Sequence, residues 1–277
     1  MSKIEDALAK AKTNRPDNWT WGQSSAEPAI PNYTRSVFKA VDPALAEENR
    51  IVTLSGKKAQ VAEQYRMLRT QILMKTEGEG DNCLMVTSSV AGEGKTTTAI
   101  NLAIAIAQEV HKTVLLVDAD LRSPSIHKYL GLAPEKGLVH NLLEYVPLED
   151  ILVRTGVEKL SFLPAGGSLP NSTEILRSPQ MQHLILEVKE RYRDRYVIFD
   201  TTPLLATADA MVLSHFMDGV VMVVQAEKTP RGDLAQSLEQ LAGCNILGVV
   251  MNNLSVMEKP YYYYKPYDND TGGSGSK

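Results

Sequence analysis

Short apolar runs alternate with amphipathic segments through most of this 277-residue chain. We predict strands at the start of the segment 83–102, at 113–117, at 160–163, at 196–200, at 219–224 and at 246–250. Helical spacing of apolar residues is found at 59–74, in the second half of 83–102, and at 138–144, 174–192, 204–215 and 231–242. Strands and helices that alternate in this way predict an α/β fold, with a doubly wound, mostly parallel sheet covered by helices on both faces.

The two ends of the chain lack this alternation. Residues 13–42 are rich in Pro, Asn, Ser and Thr without periodicity, which is typical of a flexible arm. The C-terminal end closes in a Gly/Ser-rich stretch of the kind found in mobile tails. We therefore predict three segments, a flexible N-terminal arm over 1–50, one large domain over 51–255, and a mobile tail over 256–277.

The segment 83–102 joins an apolar strand to an amphipathic helix through a turn of small residues. Gly92 and Gly94 allow the backbone of this turn to approach an anion closely. Lys95 can lie along phosphate oxygens, and Thr96 offers a hydroxyl to Mg²⁺. Ser89 stands where the G-x-x-x-x-G-K-[ST] pattern has its first glycine, so the motif is a variant Walker A. The residues predicted to line the nucleotide here are Ala91, Gly92, Glu93, Gly94, Lys95, Thr96 and Thr97.

An ordinary glycine-containing turn is the alternative for this segment. Gly-Glu-Gly-Lys-Thr-Thr directly after an apolar strand favours the nucleotide site, because it combines close backbone approach with a cation and a hydroxyl. The other motifs of the chain are interpreted relative to that site.

Two further apolar runs end in aspartates. Asp118 and Asp120 follow one run, and Asp200 ends another in the manner of a Walker B element. Ligands of open α/β folds bind at the carboxyl edge of the sheet, so these carboxylates are candidates to hold Mg²⁺ and to accept a proton. Solvated turns are the alternative. Asn252, near the end of the last run, carries an amide that can read a base edge, although Asn is also a common turn residue.

Glu63, Arg66 and Arg69 recur at three-residue steps on the helix predicted at 59–74, which places them along one drifting stripe. One interpretation is a solvated face with local ion pairs. The other is a charged strip that contacts another subunit, since arginine and its bidentate pairing favour interfaces. The spacing by itself leaves both interpretations open.

The predicted tail carries a cluster of tyrosines, namely Tyr261, Tyr262, Tyr263, Tyr264 and Tyr267. Four adjacent tyrosines cannot all be buried from one segment, and the flanking prolines favour an extended strip. Exposed aromatic hydroxyls in such a strip serve either as anchors or as substrates. Because a nucleotide site is predicted in the same chain, we interpret these tyrosines as phosphate acceptors.

Composition narrows the classes of function and the location that the chain can have. The net charge of -4 and the pI near 5.8 argue against a general nucleic-acid binder, whose affinity rests on a basic surface. Cys83 and Cys244 lie far apart in apolar runs and give no support to a disulfide framework or a thiolate metal site. Apolar runs stay well short of the roughly 20 residues that span a bilayer, and the N-terminus lacks a signal-peptide core, so we predict a cytoplasmic location.

Taken together, the motifs resemble those of the bacterial tyrosine kinase (BY-kinase) family over about residues 50–267. The resemblance rests on the Walker A variant SSVAGEGKTT, the Walker A′ motif VLLVDADLR, the Walker B motif YVIFDTTP, the Glu-x-x-Arg-x-x-Arg helix and the tyrosine cluster. Ala91 stands where the family often has proline, and Thr202 replaces the first proline of the usual Asp-Thr-Pro-Pro. Neither departure removes a chemical group that the mechanism needs.

This resemblance implies a variant P-loop fold of the MinD/ParA-like class and a tyrosine autokinase that uses ATP and Mg²⁺. The kinase would form a homo-oligomeric ring, phosphorylate the tail of a neighbour, and regulate the synthesis and export of exopolysaccharide or capsule. The implied partner is a separate membrane-spanning adaptor of the polysaccharide co-polymerase type, which would hold the kinase peripherally at the inner membrane. A tyrosine phosphatase is a further candidate partner.

The resemblance also implies roles for the motif residues. Lys95 would clamp the phosphates, while Thr96, Asp118 and Asp200 would arrange Mg²⁺ and its waters. Asp118 or Asp120 would help to deprotonate the incoming tyrosine. The helix with Glu63, Arg66 and Arg69 would be the subunit contact.

A MinD/ParA-like ATPase switch without kinase activity is the main alternative, because such proteins share the Walker motifs. They carry a signature lysine five residues before the Walker lysine, where this chain has Val90. They also lack the tyrosine tail and the charged stripe. A non-enzymatic adaptor with a decayed nucleotide site is less favoured, because the charged and hydroxyl groups of the three motifs are all intact.

Overall fold

The predicted apolar runs form strands of one eight-stranded sheet in the computed structural model, which describes residues 36–55, 59–76, 80, 82–190 and 195–254. The strands are β1 (Val37–Phe38), β2 (Cys83–Ser88), β3 (Thr113–Asp118), β4 (Val153–Arg154), β5 (Leu160–Leu163), β6 (Arg195–Asp200), β7 (Gly219–Gln225) and β8 (Ile246–Asn252). Their order is β1-β4-β5-β3-β6-β2-β7-β8, with β4 antiparallel to β5 and the other described pairs parallel. Strands β3, β6 and β2 therefore end side by side near the middle of the carboxyl edge.

Helices cover both faces of this sheet. They are α1 (Pro43–Glu48), α2 (Val52–Ser55), α3 (Ala59–Thr76), α4 (Lys95–Ala107), α5 (Ile126–Tyr129), α6 (Leu138–Glu144), α7 (Leu148–Ile151), α8 (Ser172–Leu176), α9 (Pro179–Glu190), α10 (Asp209–Ser214) and α11 (Arg231–Gln240). Successive strand residues point to opposite faces, so each central strand contributes to two cores. In β2, Met85 packs in one core with Leu184 of α9, and Leu84 packs in the other with Ile100 and Ile104 of α4.

The predicted doubly wound α/β fold is confirmed, and most element bounds agree with the pattern. The strand at 160–163 and the helix at 138–144 have the expected bounds. The helix predicted over 174–192 is instead the pair α8 and α9. Pro179 explains the break, because proline has no N–H to continue a helix and disfavours the helical conformation at the residue before it.

The helix predicted over 204–215 is shorter than expected and is confined to α10. The N–H groups of Leu204 and Leu205 donate to the carbonyls of Ser88 and Ser89, at 2.8 and 3.1 Å. These bonds tie the segment after β6 to the loop after β2.

Part of the predicted flexible arm belongs to the folded domain. Strand β1 pairs in parallel with β4 at the sheet edge. Asp42 accepts hydrogen bonds from the N–H groups of Ala44 and Leu45 and so caps α1, and Ala46 is fully buried. The domain thus begins before the boundary predicted at residue 50, because two short apolar elements find partners that are distant in sequence.

The tyrosine cluster at 261–267 lies outside the described residues, so its predicted role remains a proposal. Within the part of the chain that the structure describes, no helix combines the length and the apolar character needed to cross a membrane.

Candidate active site

The variant Walker A loop connects β2 to α4 above the carboxyl edge of the sheet. Gly94 has a φ of +92°, and a Cβ built there would lie 2.0 Å from Nδ2 of Asn252. Gly92 has a φ of +85° with no atom within 4 Å of its built Cβ. Gly94 is therefore required both for conformation and for space, whereas Gly92 is required for conformation alone. Because α4 begins at Lys95, the positive end of its dipole lies at the loop.

Asp118 and Asp200 lie side by side at the carboxyl ends of β3 and β6. Their Cα atoms are register partners, and both residues are fully buried. The Asp118 carboxylate accepts hydrogen bonds from the N–H groups of Ser125 and Ile126, each at 3.1 Å. The Thr96 hydroxyl donates to Oδ2 of Asp200 at 2.7 Å. The sheet thus brings the two acidic motifs together at the start of α4.

Lys95 reaches from α4 to the same carboxylates. Its Nζ atom lies 2.9 Å from Oδ2 of Asp120 and 3.8 Å from Oδ1 of Asp200. Burial lowers the pKa of the Lys95 ammonium, but the negative charges of Asp200 and Asp120 outweigh this effect, so its pKa lies above the usual value. The four residues predicted to be catalytic therefore lie in one cluster, with a charged lysine at its centre.

Burial raises the pKa values of the two strand-end carboxyls. The pKa of Asp118 lies well above its ordinary value, first because the group is desolvated and second because Asp200 is negatively charged. Burial also raises the pKa of Asp200, to about 6, although the Lys95 charge and the Thr96 hydrogen bond oppose the shift. The protein alone therefore disfavours the charged forms, and a cation placed between these groups would favour them again.

The two buried carboxyls fit a magnesium ion. Among the described residues, Oδ1 of Asp118 and Oδ1 of Asp200 have no hydrogen-bond partner. With the Thr96 hydroxyl they offer hard oxygen ligands, and Mg²⁺ usually takes one or two carboxylates and completes its shell with waters and phosphates. No group of three or more His, Cys, Asp or Glu side chains in the described ranges could hold a metal by itself. These residues therefore fit a metal that arrives with a phosphate ligand.

Glu93 and Asn252, both predicted to bind the nucleotide, use their side chains inside the protein. The buried Glu93 carboxylate accepts a hydrogen bond from the Val90 N–H at 2.9 Å and another from the Thr229 hydroxyl. The Asn252 amide donates to the Glu93 carbonyl at 2.9 Å. Thr229 was not predicted, because a threonine before a proline is an ordinary helix-start signal. The remaining predicted loop residues, exposed or partly exposed at the site, are Ala91, Gly92 and Thr97.

A second polar network beside the cluster was also not predicted. The buried carboxylate of Asp209 accepts hydrogen bonds from Nε of Arg122 at 3.1 Å, from the Ser172 hydroxyl at 2.5 Å and from the Thr173 hydroxyl. Arg122 ends the DADLR motif, so the network ties this motif to α8 and α10. Arg122 was the signal that the sequence offered for this network. Its buried acidic partner, Asp209, lies far along the chain.

The charged stripe predicted on α3 is divided in the structure. Glu63 and Arg66 are exposed and form an ion pair with each other. Arg69 pairs instead with Glu109, with 2.8 Å between Nη2 and Oε1, and donates to the Ala105 carbonyl at 3.2 Å. The drift that the three-residue spacing predicts turns Arg69 toward the end of α4, while Glu63 and Arg66 stay on the exposed side. The assignment of these residues to a subunit contact remains a proposal.

The parallel sheet, the loop at the start of α4 and the acidic strand ends define a P-loop nucleotide-binding protein of the MinD/ParA-like class. MinD of Pyrococcus horikoshii, solved in complex with Mg-ADP, aligns with a TM-score of 0.51 and 24% identity over 61% of this chain and 69% of its own, which is evidence for the fold alone. A family model described as AAA domain matches residues 83–244.

Known relatives narrow this class to a family. The chain is 37% identical to the tyrosine-protein kinase YwqD of Bacillus subtilis over 225 residues, covering 80% of this chain and 94% of YwqD. It is 33% identical to the putative tyrosine-protein kinase EpsB of Ralstonia nicotianae over 209 residues, covering 74% of this chain and 27% of EpsB. The kinase domain of the Escherichia coli tyrosine kinase ETK aligns with a TM-score of 0.71 and 25% identity, covering 86% of this chain and 97% of that domain. The chain therefore belongs to the bacterial tyrosine-protein kinase family.

Proposed function

We propose that this protein is an ATP-dependent protein-tyrosine autokinase that phosphorylates the tyrosine cluster in the tail of a neighbouring copy. The observation that carries the proposal is the cluster of Lys95, Thr96, Asp118, Asp120 and Asp200 at one edge of the sheet. Phosphoryl transfer needs positioning and charge neutralisation of this kind, and it needs no covalent enzyme intermediate. Membership of a tyrosine-kinase family supports tyrosine as the acceptor.

In the proposed reaction, the phenolic oxygen forms a bond to the γ-phosphorus of ATP. The bond from that phosphorus to the β,γ-bridging oxygen breaks, which leaves ADP and phosphotyrosine. Lys95 exchanges its contact with Asp120 for phosphate oxygens, and the Asp120 carboxylate is then free to accept the phenolic proton. Thr96, Asp118 and Asp200 would hold Mg²⁺, which would supply further charge neutralisation when bound.

The proposal extends to the partners that the family resemblance implies. The kinase acts with a separate membrane-spanning adaptor at the inner membrane, and it regulates the synthesis and export of exopolysaccharide or capsule. A tyrosine phosphatase reverses the modification. Nucleic acid is not a proposed partner, because the net charge of the chain is negative.

A MinD/ParA-like ATPase switch is the second candidate, because the fold is shared. The family relationship favours the kinase, and so does Val90 at the signature-lysine position. The two functions are separated by incubating purified protein with ATP and Mg²⁺ and mapping phosphorylated residues by mass spectrometry. We expect phosphate on the tyrosines of 261–267. Release of inorganic phosphate without phosphotyrosine would establish the switch instead.

Catalysis between copies is tested by mixing a chain that lacks kinase activity with a chain that lacks the tail acceptors. One chain carries Lys95→Met, and the other has its five tail tyrosines replaced by phenylalanine. We expect phosphate on the tail of the Lys95→Met chain, because a ring raises the effective concentration of one tail at a neighbour's site to the millimolar range. Wild-type labelling that is independent of protein concentration, with no labelling in the mixture, would show instead that each tail reaches its own site.

The contact proposed for α3 is tested by replacing Glu63, Arg66 and Arg69 with alanine together. Assembly measured by light scattering should be lost, and tail phosphorylation should slow most at low protein concentration. Because the pair of Arg66 with Glu63 is exposed, we expect Arg66→Ala to weaken assembly without a large change in melting temperature. Arg69, in contrast, is engaged with Glu109. Arg69→Ala should also lower the melting temperature. Unchanged assembly in the triple variant would remove α3 from the interface.

A further inference from the structure

Glu93 is part of a closed circuit of hydrogen bonds at the carboxyl edge of the sheet. The residue is only 2% exposed, although it lies in a loop that is open to solvent on both sides of it. Its carboxylate accepts from the Val90 N–H at 2.9 Å and from the Thr229 hydroxyl. The Thr229 oxygen in turn accepts from the Gln225 N–H at 2.9 Å. The carboxylate thus joins the Walker A loop to the turn 225–229, which follows β7.

The circuit returns to Glu93 through the last strand. The Ala226 N–H donates to the Asn252 carbonyl at 2.9 Å, which ties the turn to the end of β8. The Asn252 amide donates to the Glu93 carbonyl at 2.9 Å and lies where a side chain at Gly94 would be. Three segments that are separate in sequence are therefore fixed to one another by both the side chain and the backbone of one residue.

We propose that Glu93 is a positioning residue that holds the Walker A loop in its phosphate-binding conformation and couples it to the turn 225–229. Two glycines with left-handed backbone leave this loop free to adopt other backbone conformations, so some other contact must fix its shape. A free carboxylate in the loop would repel phosphate, whereas this one is held inside the protein by two donors. A loop that is already ordered loses less conformational freedom when a ligand binds.

This inference rests on the proposed function only in that the loop binds a nucleotide. The test measures the affinity of a fluorescent ADP analogue with Mg²⁺, and the melting temperature without nucleotide, for the wild type and a set of variants. Glu93→Ala removes both accepted bonds, and Thr229→Val removes the donor to Glu93 together with the acceptor of the Gln225 N–H, at almost constant shape. Glu93→Gln keeps an acceptor for the Val90 N–H and can donate its NH₂ group to the Thr229 oxygen, which reverses the direction of that bond, so it serves as the conservative variant.

We expect Glu93→Ala to weaken nucleotide binding about tenfold, which corresponds to about 1.4 kcal/mol. Thr229→Val should weaken it severalfold, and the double variant should be no weaker than Glu93→Ala, because the two residues act through one contact. Glu93→Gln should stay within about threefold of the wild type. With tyrosine labelling as readout, the Glu93→Ala effect should fall on the KM for ATP more than on kcat.

Thr155→Val is the control for a purely structural effect. The Thr155 hydroxyl donates to the Leu160 carbonyl at 3.0 Å, in a buried pair away from the nucleotide loop. This variant should lower the melting temperature without changing nucleotide affinity. Wild-type affinity in Glu93→Ala, or fold-changes that multiply in the double variant, would overturn the positioning role. Nucleotide binding without tyrosine phosphorylation in the wild type would remove the kinase proposal and leave this inference standing, whereas absence of binding in the wild type would overturn both.

Discussion

Lys95→Met should eliminate phosphorylation of the tail, with a loss of at least about 10²–10³-fold in rate. Removal of one charge-stabilising group from a preorganised site costs about this much. Methionine keeps the length of the side chain but not its charge, so the transferring phosphoryl group loses the cation that Asp120 and Asp200 now hold in place. Phosphotyrosine formed per minute, quantified by mass spectrometry at fixed protein concentration, measures the effect.

The fold of this variant should remain intact, because Lys95 contributes charge at the site and little packing. Its circular-dichroism spectrum should match the wild type. Lys136→Met is a matched control, since Lys136 is exposed and lies outside the site. Tail phosphorylation near the normal rate in Lys95→Met, with the control unchanged, would show that this loop does not hold the transferred phosphate.

Asp118→Asn and Asp200→Asn should each lower activity by orders of magnitude, yet make the metal-free protein more stable. Asparagine keeps the shape of the side chain but loses the charge that Mg²⁺ requires. Both carboxyls are fully buried and each has one oxygen that accepts no hydrogen bond, so the charged forms are costly when no metal ion is bound. For a domain of this size, each 1 kcal/mol relieved should raise the melting temperature by roughly 2–4 °C.

The stability difference should depend on pH in a defined direction. Burial raises the pKa of Asp200 from 3.8 to about 6, so between these values the folded protein holds a proton that the unfolded chain has released. The free energy of unfolding therefore falls as the pH rises through this window, by about 3 kcal/mol for two pH units at about 1.4 kcal/mol each. Asp200→Asn should lose this contribution, and Asp118→Asn should lose one of the same sign.

Urea unfolding at pH 5 and pH 7.5, with chelator present, measures this difference. The free energy of unfolding of each variant, relative to that of the wild type, should increase as the pH rises. If that of the wild type increases relative to that of Asp200→Asn over the same interval, the folded protein favours the charged carboxylate without metal. Addition of Mg²⁺ and a nucleotide should reverse the ranking, because only the wild type can bind the ion with full charge.

The sequence by itself determined the elements and the local motifs of this protein. Apolar runs and helical spacing are properties of neighbouring residues, so strands such as 160–163 and the helix 138–144 could be located directly. The Walker A loop could be found for the same reason, because its glycines, Lys95 and Thr96 are contiguous. The three acidic positions could be assigned to the carboxyl edge, because each follows a buried strand of a parallel sheet.

Only the tertiary structure decided which of these groups meet. The register of β3 against β6 places Asp118 beside Asp200, and packing of α3 on α4 turns Arg69 away from the exposed surface toward Glu109. The partner of Glu93 is a threonine far along the chain, which no local pattern distinguishes from an ordinary helix-start residue. Such contacts depend on strand order and helix packing, and these follow from the burial of the whole chain rather than from any one segment of it.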